Sequence, residues 1–260
     1  MEPLTTEGLA FLYLAAAFAG AIDAIVGGGG LIQIPALFSA VPSADPASLF
    51  GTNKFASIFG TVSAAMRYAQ RVHIPWRATL PAACAAFAAS YGGALTVAYV
   101  PREIVRPAVL ILLIAAAAYT FARKEFGSVH RPPSFGRGHL FAAIAIGGVI
   151  GYYDGLFGPG TGSFLIFLFI RVFGFDFLHA SAAAKVVNAA TNFAALSFFL
   201  PGGHWLPLAA TGMALCNVGG SWLGSHLAIR YGSGWVRRVF LVVVGVLIVR
   251  FAWETVAEVR

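Results

Sequence analysis

The sequence carries very little charge. Only 10% of its 260 residues are Asp, Glu, Lys or Arg, against roughly 25% in an average soluble domain. Apolar residues make up 59%, more than a soluble fold of this size can bury, which excludes a free-standing soluble domain and a disordered regulator. A bilayer core about 30 Å thick needs about 20 apolar residues per helix, and such stretches follow one another nearly end to end. The sequence predicts an all-α polytopic membrane protein.

Cysteine and acidic residues are also scarce. Cys84 and Cys216 lie in separate apolar runs without a C-x-x-C motif, which excludes a secreted disulfide scaffold and gives no metal-binding pattern. No two of the 6 histidines have the i,i+4 spacing of a ligand pair, so we expect no metal and no cofactor. The net charge of +7 comes from basic residues scattered at segment ends, which argues against a nucleic-acid partner.

An internal repeat is the most informative feature of the chain. A single constant offset, the one that carries Gly20 onto Gly151, aligns polar and glycine positions of the two halves without a gap. The other aligned pairs are Asp23 and Asp154, Gly27 and Gly158, Lys54 and Lys185, Ser90 and Ser221, Gly93 and Gly224, and Arg106 and Arg237. Two intramembrane acids and two intramembrane lysines at one offset are unlikely to coincide by chance. We therefore predict two homologous membrane repeats, 1–125 and 138–260, joined by a cytoplasmic linker, 126–137.

Each repeat contains five apolar segments. They run over 9–26, 31–42, 51–69, 78–99 and 104–121 in the first half, and over 140–157, 161–173, 182–200, 207–230 and 235–253 in the second. The segment 9–26 recurs at 140–157, so we expect a retained span rather than a signal peptide. The second segment of each half is too short to cross a bilayer alone and follows a glycine-rich turn, which indicates a broken or re-entrant helix.

The Lys and Arg distribution predicts the orientation. An odd number of segments per half inverts the second repeat relative to the first, and an outside N-terminus then leaves 11 basic residues in cytoplasmic loops and 4 outside. This asymmetry satisfies the positive-inside rule. Two inverted five-segment repeats with broken helices are typical of secondary transporters. Four full spans per half, in parallel repeats, are the alternative.

Four ionisable residues stand out among those inside the apolar segments: Asp23, Lys54, Asp154 and Lys185. Each costs about 2.5–3.5 kcal/mol to insert, so a function is expected of it. One hypothesis is structural, with each Asp neutralising a Lys, Asp154 pairing with Lys185. The other is that the lysines bind an anion while Asp23 or Asp154 carries a proton or orients a lysine. Both hypotheses remain open at this stage.

The glycine-rich turns and the polar residues beside the lysines complete the predicted substrate site. A half-helix that begins at such a turn presents backbone N–H groups and a positive dipole end to an anion. Amides near the lysines form a candidate polar wall, since Asn188 and Asn192 follow Lys185 along one helical face. Besides the two lysines, the predicted substrate-binding residues are Gly28, Gly29, Gly30, Asn53, Gly160, Thr161, Gly162, Ser163, Asn188 and Asn192.

These motifs resemble the TauE/SafE sulfite-exporter family, also called the 4-toluene sulfonate uptake permeases. The stretches that carry the resemblance are Gly20-x-x-Asp23, Gly27–Gly30 with Pro35, Thr52-Asn53-Lys54, Gly151-x-x-Asp154, Phe157-Gly158-Pro159-Gly160-x-Gly162-Ser163-Phe164 and Lys185-x-x-Asn188. The resemblance covers the whole chain. It implies transport of sulfite or a small organosulfonate anion across the bacterial inner membrane. Ala184 stands where the first repeat has Asn53, so the two half-sites differ.

Physical reasoning bears on the direction of transport. A monoanion leaving a cell at −100 mV gains about 2.3 kcal/mol, or about fifty-fold in concentration, so export needs no coupling ion. Proton-coupled uptake is the alternative, with a membrane-embedded enzyme using Asp23 and Asp154 or a passive anion channel less favoured. Against the enzyme, the repeat gives each Asp its own half-site and requires no proximity between them. The expected partners are the small anion and the lipid bilayer; the sequence leaves open whether the chain forms a homo-oligomer.

Overall fold

The chain is described by a computed structural model over residues 5–96 and 127–258, and the structured part of these ranges is helical. The described residues form eight helices: α1 (Thr6–Val26), α2 (Gly30–Ala40), α3 (Pro46–Ala69), α4 (Trp76–Thr96), α5 (Arg137–Leu156), α6 (Thr161–Phe173), α7 (Phe177–Phe199) and α8 (Pro207–Glu258). Helix α8 contains the last two predicted segments and is interrupted at Gly232, whose φ of 77° is outside the helical region. The predicted segment 104–121 lies outside the described residues.

Several helices begin at side-chain caps that are visible in the sequence. Thr5, Asp45 and Asp176 each accept a hydrogen bond from the backbone N–H three residues later, at 3.1, 2.9 and 2.8 Å. Such a cap satisfies one of the N–H groups that have no partner in the first helical turn. Pro46 occupies the start of α3, where its missing N–H and fixed φ suit the first turn.

Helix length separates full spans from partial ones. Among the described residues, α1, α4 and α5 are long and apolar enough to cross a bilayer by length and composition. Helices α2 and α6 are apolar but contain only 11 and 13 residues. At 1.5 Å per residue they extend about 17 and 20 Å, short of a 30 Å hydrocarbon core. The prediction of short, interrupted helices after the two glycine turns is confirmed.

The distribution of burial is that of a protein surrounded by lipid. Large apolar side chains cover the outside, with Leu14, Phe141 and Leu215 each 73% exposed or more. The side chains of Lys54 and Lys185, in contrast, are buried at 3% and 0% exposure. Exposed apolar side chains around buried lysines would be unfavourable in water. In a bilayer the lipid solvates the apolar surface, and polar groups are more stable inside the protein.

The two sequence halves are interleaved in space. Helix α1 packs most extensively against α8, and α4 against α5, so each major pairing joins one half to the other. A Cβ atom at Gly93 would overlap the carbonyl oxygen of Tyr152, and a Cβ at Gly224 would overlap that of Ala21. The offset that relates the two sequences carries Gly93 onto Gly224 and Ala21 onto Tyr152, so the two contacts are equivalent. The boundaries 126–137 stay a prediction.

The two short helices run from the middle of the molecule towards opposite ends. Both begin at the glycine turns, which contact each other through Gly27 and Gly162. Helix α6 ends at Phe173 and is followed by Gly174, which accepts a hydrogen bond from the Arg131 backbone N–H in the linker. Helix α2 ends at Ala40 and is followed by Val41, which lies in an apolar cluster with Leu206 from the segment before α8. The site described below lies between these two ends.

Candidate functional site

The two glycine turns meet at the start of the short helices. Gly27 and Gly158 have φ of 80° and 85°, the left-handed region that favours glycine. The backbone N–H of Ser163 donates to the Gly27 carbonyl at 3.1 Å, and the Ser163 hydroxyl donates to the Val26 carbonyl at 2.8 Å. Because a Cβ at either Gly27 or Gly162 would overlap the other residue's backbone, close packing explains part of the glycine content.

A buried ion pair joins the first lysine to the second acid. Lys54 Nζ donates to Asp154 Oδ2 at 2.6 Å, and their side chains are 3% and 2% exposed. The other carboxylate oxygen of Asp154 accepts a 2.7 Å hydrogen bond from the Thr161 hydroxyl at the start of α6. Thr161 therefore orients the carboxylate that faces Lys54.

A second ion pair joins the second lysine to the first acid. Lys185 Nζ donates to Asp23 Oδ2 at 2.8 Å, with side-chain exposures of 0% and 14%. The backbone N–H of Gly29 approaches the other oxygen of Asp23 at 3.4 Å. The hypothesis that Asp154 pairs with Lys185 is therefore wrong, because each lysine pairs with the acid of the other half. Because the two halves interleave, α3 with Lys54 lies beside α5 with Asp154, and α7 with Lys185 lies beside α1 with Asp23.

The two pairs leave the centre of the molecule with no net charge. Each lysine and each acid is desolvated, and their attraction offsets a cost of several kcal/mol per ion only while both partners stay together. Replacement of such a pair by apolar side chains is often neutral or stabilising, so the pairs themselves are weak evidence of a structural role. Ionisable residues retained at this depth indicate a functional site.

A small cavity of about 20 Å³ lies between the two glycine turns. Its walls are polar, contributed by α1, α3, α5 and α7 together with the turns. The lining residues are Asp23, Gly27, Gly30, Asn53, Lys54, Ser57, Thr61, Asp154, Gly158, Gly162, Asn188 and Asn192. A volume of this size accommodates about one water molecule. The cavity in this structure is therefore too small for a polyatomic anion.

Eight of the predicted site residues line this cavity, and the others support it or lie apart. Asp23 and Asp154 both face it, so the expectation of separate local sites for the two acids is wrong. Lys185 does not line the cavity but donates a hydrogen bond to Asp23, which does. Thr161 likewise donates a hydrogen bond to the lining residue Asp154. Outside the cavity wall lie Gly28, Gly29, Gly160 and Ser163.

Sequence reasoning missed two lining residues, Ser57 and Thr61. Both lie on α3, one and two turns after Lys54, as Asn188 and Asn192 do after Lys185 on α7. The signal was present, because the offset that carries Lys54 onto Lys185 also carries Ser57 onto Asn188 and Thr61 onto Asn192. The cavity wall thus follows the repeat even where the residue types differ.

The N-termini of the two short helices offer fewer free backbone N–H donors to an anion than their position suggests. The N–H groups of Ser163 and Thr161 already donate to Gly27 and Gly158 carbonyls, and that of Leu31 donates to Gly28. These three N–H groups are therefore not available to an anion. Asn53, in contrast, lines the cavity with a buried side-chain oxygen that has no hydrogen-bond partner among the described residues. This oxygen is an acceptor available to a hydrogen-bond donor on a ligand.

Comparison with known proteins places this architecture in a family. The family profile described as sulfite exporter TauE/SafE matches residues 12–251, nearly the whole chain. The chain belongs to the TauE/SafE family. It is accordingly a membrane transporter, and the family resemblance read from the glycine, aspartate and lysine motifs is confirmed.

Curated relatives of this TauE/SafE chain carry transporter names. A probable membrane transporter protein ORF9 from Sinorhizobium sp is 36% identical, over 100% of this chain and 98% of the relative. Probable membrane transporter protein YfcA from Escherichia coli is 34% identical, over 95% and 90% of the two chains. A probable membrane transporter protein from Haemophilus influenzae is 30% identical, over 90% of each. No solved structure matches the chain.

Proposed function

We propose that this TauE/SafE transporter moves sulfite or a small organosulfonate anion across the bacterial inner membrane, as a multi-pass protein. The observation that carries the proposal is the position of Lys54, a buried cation on the wall of a small polar cavity. A buried ammonium beside hydroxyl and amide groups suits a small oxyanion, which needs positive charge and several hydrogen-bond donors. Asn53, Ser57 and Asn188 supply such groups.

Substrate entry requires two changes at this site. The cavity of about 20 Å³ must widen, because it accommodates only about one water molecule. The Lys54 charge must also be released from Asp154, since a neutral ion pair attracts an anion weakly. Movement of α5 and the Gly158 turn away from α3 would accomplish both, because Asp154 and Lys54 lie on these opposite elements. Rocking of helices about a central site is the usual basis of alternating access.

Export is the direction we favour. A monoanion released from Lys54 to the outside moves down a potential worth about 2.3 kcal/mol at 100 mV, without any coupling ion. Both ion pairs can then remain charged throughout the cycle, opening and closing as the anion competes with Asp154 for Lys54.

Proton-coupled uptake is the second candidate, and the Lys54–Asp154 contact favours it. Protonation of Asp154 would neutralise the carboxylate and leave Lys54 with a full positive charge for the anion. Anion and proton would then enter together and leave together. Export and proton-coupled uptake use the same residues. They differ in the driving force, which is the membrane potential for export and the pH gradient for uptake.

Counterflow in proteoliposomes tests the proposal. Vesicles containing the purified full chain are loaded with unlabelled anion and exposed to labelled sulfite, sulfate, sulfoacetate or taurine. We expect saturable accumulation of sulfite or a sulfonate. A membrane potential alone should drive net export, whereas a pH gradient alone should drive the proton-coupled alternative. Absence of saturable exchange for all four compounds would contradict the proposed substrate class.

Substitution of each lysine tests the site itself. We expect Lys54→Met to abolish the rise in melting temperature that the transported anion causes, because a ligand stabilises only the state that binds it. Lys185→Met is the matched control, since it removes the same charge from a residue that does not line the cavity. It should retain a larger part of the shift. A full shift in Lys54→Met would make Lys54 a structural residue.

A further inference from the structure

A cluster of histidines lies at the end of the molecule where the linker meets α7, away from the central cavity. The linker is held there by two backbone hydrogen bonds, from Arg131 N–H to the Gly174 carbonyl and from Phe177 N–H to the Gly127 carbonyl, both 2.9 Å. This docking brings His130 against His179 on the first turn of α7, with ring centroids 3.8 Å apart.

An aspartate completes the cluster. Asp176 caps α7, and its Oδ1 accepts hydrogen bonds from the His179 backbone N–H at 2.8 Å and from the His179 ring at 2.7 Å. The ligand atoms of His130, Asp176 and His179 all lie within 4.8 Å of one another. Among the described residues, this is the group of three His, Cys, Asp or Glu side chains that comes close enough to hold a metal ion.

The protonation states of His130 and Asp176 suit metal binding. Burial and the neighbouring His179 hold the pKa of His130 below its usual 6.5, so its ring is neutral at physiological pH. Burial alone would raise the pKa of Asp176, but the hydrogen bonds from His179 outweigh it and hold that pKa below the usual 3.8. Neutral imidazole and ionised carboxylate are the forms that coordinate a metal.

His130 also has an unsatisfied ring atom. Its Nδ1 is buried and has no hydrogen-bond partner in the described part of the chain. A buried polar atom without a partner costs about 1–3 kcal/mol, and such an atom calls for a specific explanation. A coordinated ion would satisfy it. The cleft beside His130, about 440 Å³ and lined also by His73 and His139, leaves room for the ring to turn.

We propose that His130, Asp176 and His179 bind a divalent transition-metal ion, of the class that Zn²⁺ represents. Two imidazoles and one carboxylate form an established ligand set for such ions, with the remaining position open to water. Around a tetrahedral ion at 2.0–2.1 Å, ligand atoms are about 3.3 Å apart. The 2.7 Å contact between Asp176 and the His179 ring must therefore lengthen, while separations nearer 4.8 Å must shorten. The ion would replace the hydrogen bond between Asp176 and the His179 ring.

A metal at this position would join the linker to the helix that carries Lys185. His179 and Lys185 lie six residues apart on α7, about 9 Å along its axis. The chain spacing of the histidines does not predict this site, because the nearest pair of ligands is an Asp and a His and the third ligand comes from the linker. Metal binding at this position does not depend on which anion the protein transports.

Titration calorimetry of the tag-free full chain in detergent, after treatment with a chelator, tests the proposal. We expect one equivalent of Zn²⁺ to bind saturably and Mg²⁺ not to compete, because a hard cation prefers all-oxygen sites. His130→Phe removes the ligand while keeping a ring to stack on His179, and should weaken Zn²⁺ binding about tenfold or more. Asp176→Asn, which preserves a helix cap, should weaken it as well.

His204→Ala is the matched control. His204 faces Asp45 at 3.9 Å, which is also a His–Asp pair, but it has no third ligand among the described residues. This variant should bind Zn²⁺ as the unaltered chain does. The melting temperature of each metal-free variant reports its folding, and the Zn²⁺-induced rise should disappear only in the His130 and Asp176 variants. Saturable binding that survives in His130→Phe, or no saturable binding by the unaltered chain, would overturn the proposal.

Discussion

The effect of an Asp154 substitution on stability depends on the residue with which Asp154 pairs. Asp154→Asn removes the charge that neutralises Lys54 while keeping the size of the side chain. We expect a loss of about 3–5 kcal/mol in the free energy of unfolding, because a buried cation then has no counter-ion. Lys54→Met in the same chain should restore much of the stability, since it removes the unpaired charge. Thermal unfolding and the monodisperse fraction in detergent measure both effects.

Lys185→Met provides the control for this rescue. It removes a buried lysine of the same kind, but one that pairs with Asp23. Combined with Asp154→Asn it should fail to rescue and should leave Asp23 without its partner. Rescue by Lys185→Met and not by Lys54→Met would contradict the cross-half pairing.

Individual residue types were predictable where chemistry alone identifies them. An Asp or Lys inside an apolar segment is conspicuous, and Asp23, Lys54, Asp154 and Lys185 all have the ion-pair partners that membrane insertion demands. The identity of each partner was not predictable. The paired residues are 100 and 162 positions apart, and helical spacing relates only near neighbours.

At the scale of an element, the turn between α1 and α2 depends on Gly27. Its φ of 80° disfavours any side chain, and a Cβ would overlap the backbone of Gly162. We expect Gly27→Ala to lower the free energy of unfolding by about 1–3 kcal/mol from backbone strain, with a further loss from the overlap. Thermal unfolding in detergent measures the change.

Gly30→Ala is the comparison for this turn. Gly30 begins α2, and its Cβ would meet neighbouring atoms at 3.5 Å, an ordinary contact. Alanine is a better helix former than glycine, so this substitution should be close to neutral or slightly stabilising. Equal losses at the two positions would contradict a specific role for the left-handed turn.

Helix boundaries show where apolar patterning succeeds and where it falls short. The predicted 161–173 coincides with α6, because left-handed glycines at Gly160 and Gly174 bound it on both sides. The starts of α3 and α7 were predicted five residues too late, at 51 and 182 instead of Pro46 and Phe177. Counting apolar residues ignores the caps, and Asp45 and Asp176 carry the signal for these starts.

At the scale of the whole molecule, basic segments gather at one end. The cleft lined by Arg77, His130 and His139 brings together the segment between α3 and α4, the linker and the end of α6. The opposite end contains 41–45 and 200–206, which have no Lys or Arg. This separation supports the proposed topology, in which the basic end is cytoplasmic.

Reporter fusions test that topology. A reporter that is active only in the periplasm should be active when fused after residue 260, and a cytoplasmic fluorescent protein fused there should be dark. A fusion within the linker, after residue 131, is the internal control and should give the reverse result. Fluorescence of the fusion at 260 would contradict the predicted orientation, and a linker fusion that is active in the periplasm would favour four spans per half.

The sequence by itself determined the helical membrane class, the interrupted helices, the family and the residues from which a site could be built. These properties depend on composition, local patterning and the constant offset between the two halves, all of which are present before folding. Only the tertiary structure decided that Lys54 meets Asp154, that both acids share one cavity, and that His130 reaches Asp176 and His179. These contacts arise because α1 packs on α8 and α4 on α5, and spacing along a chain does not specify which distant helices will pair.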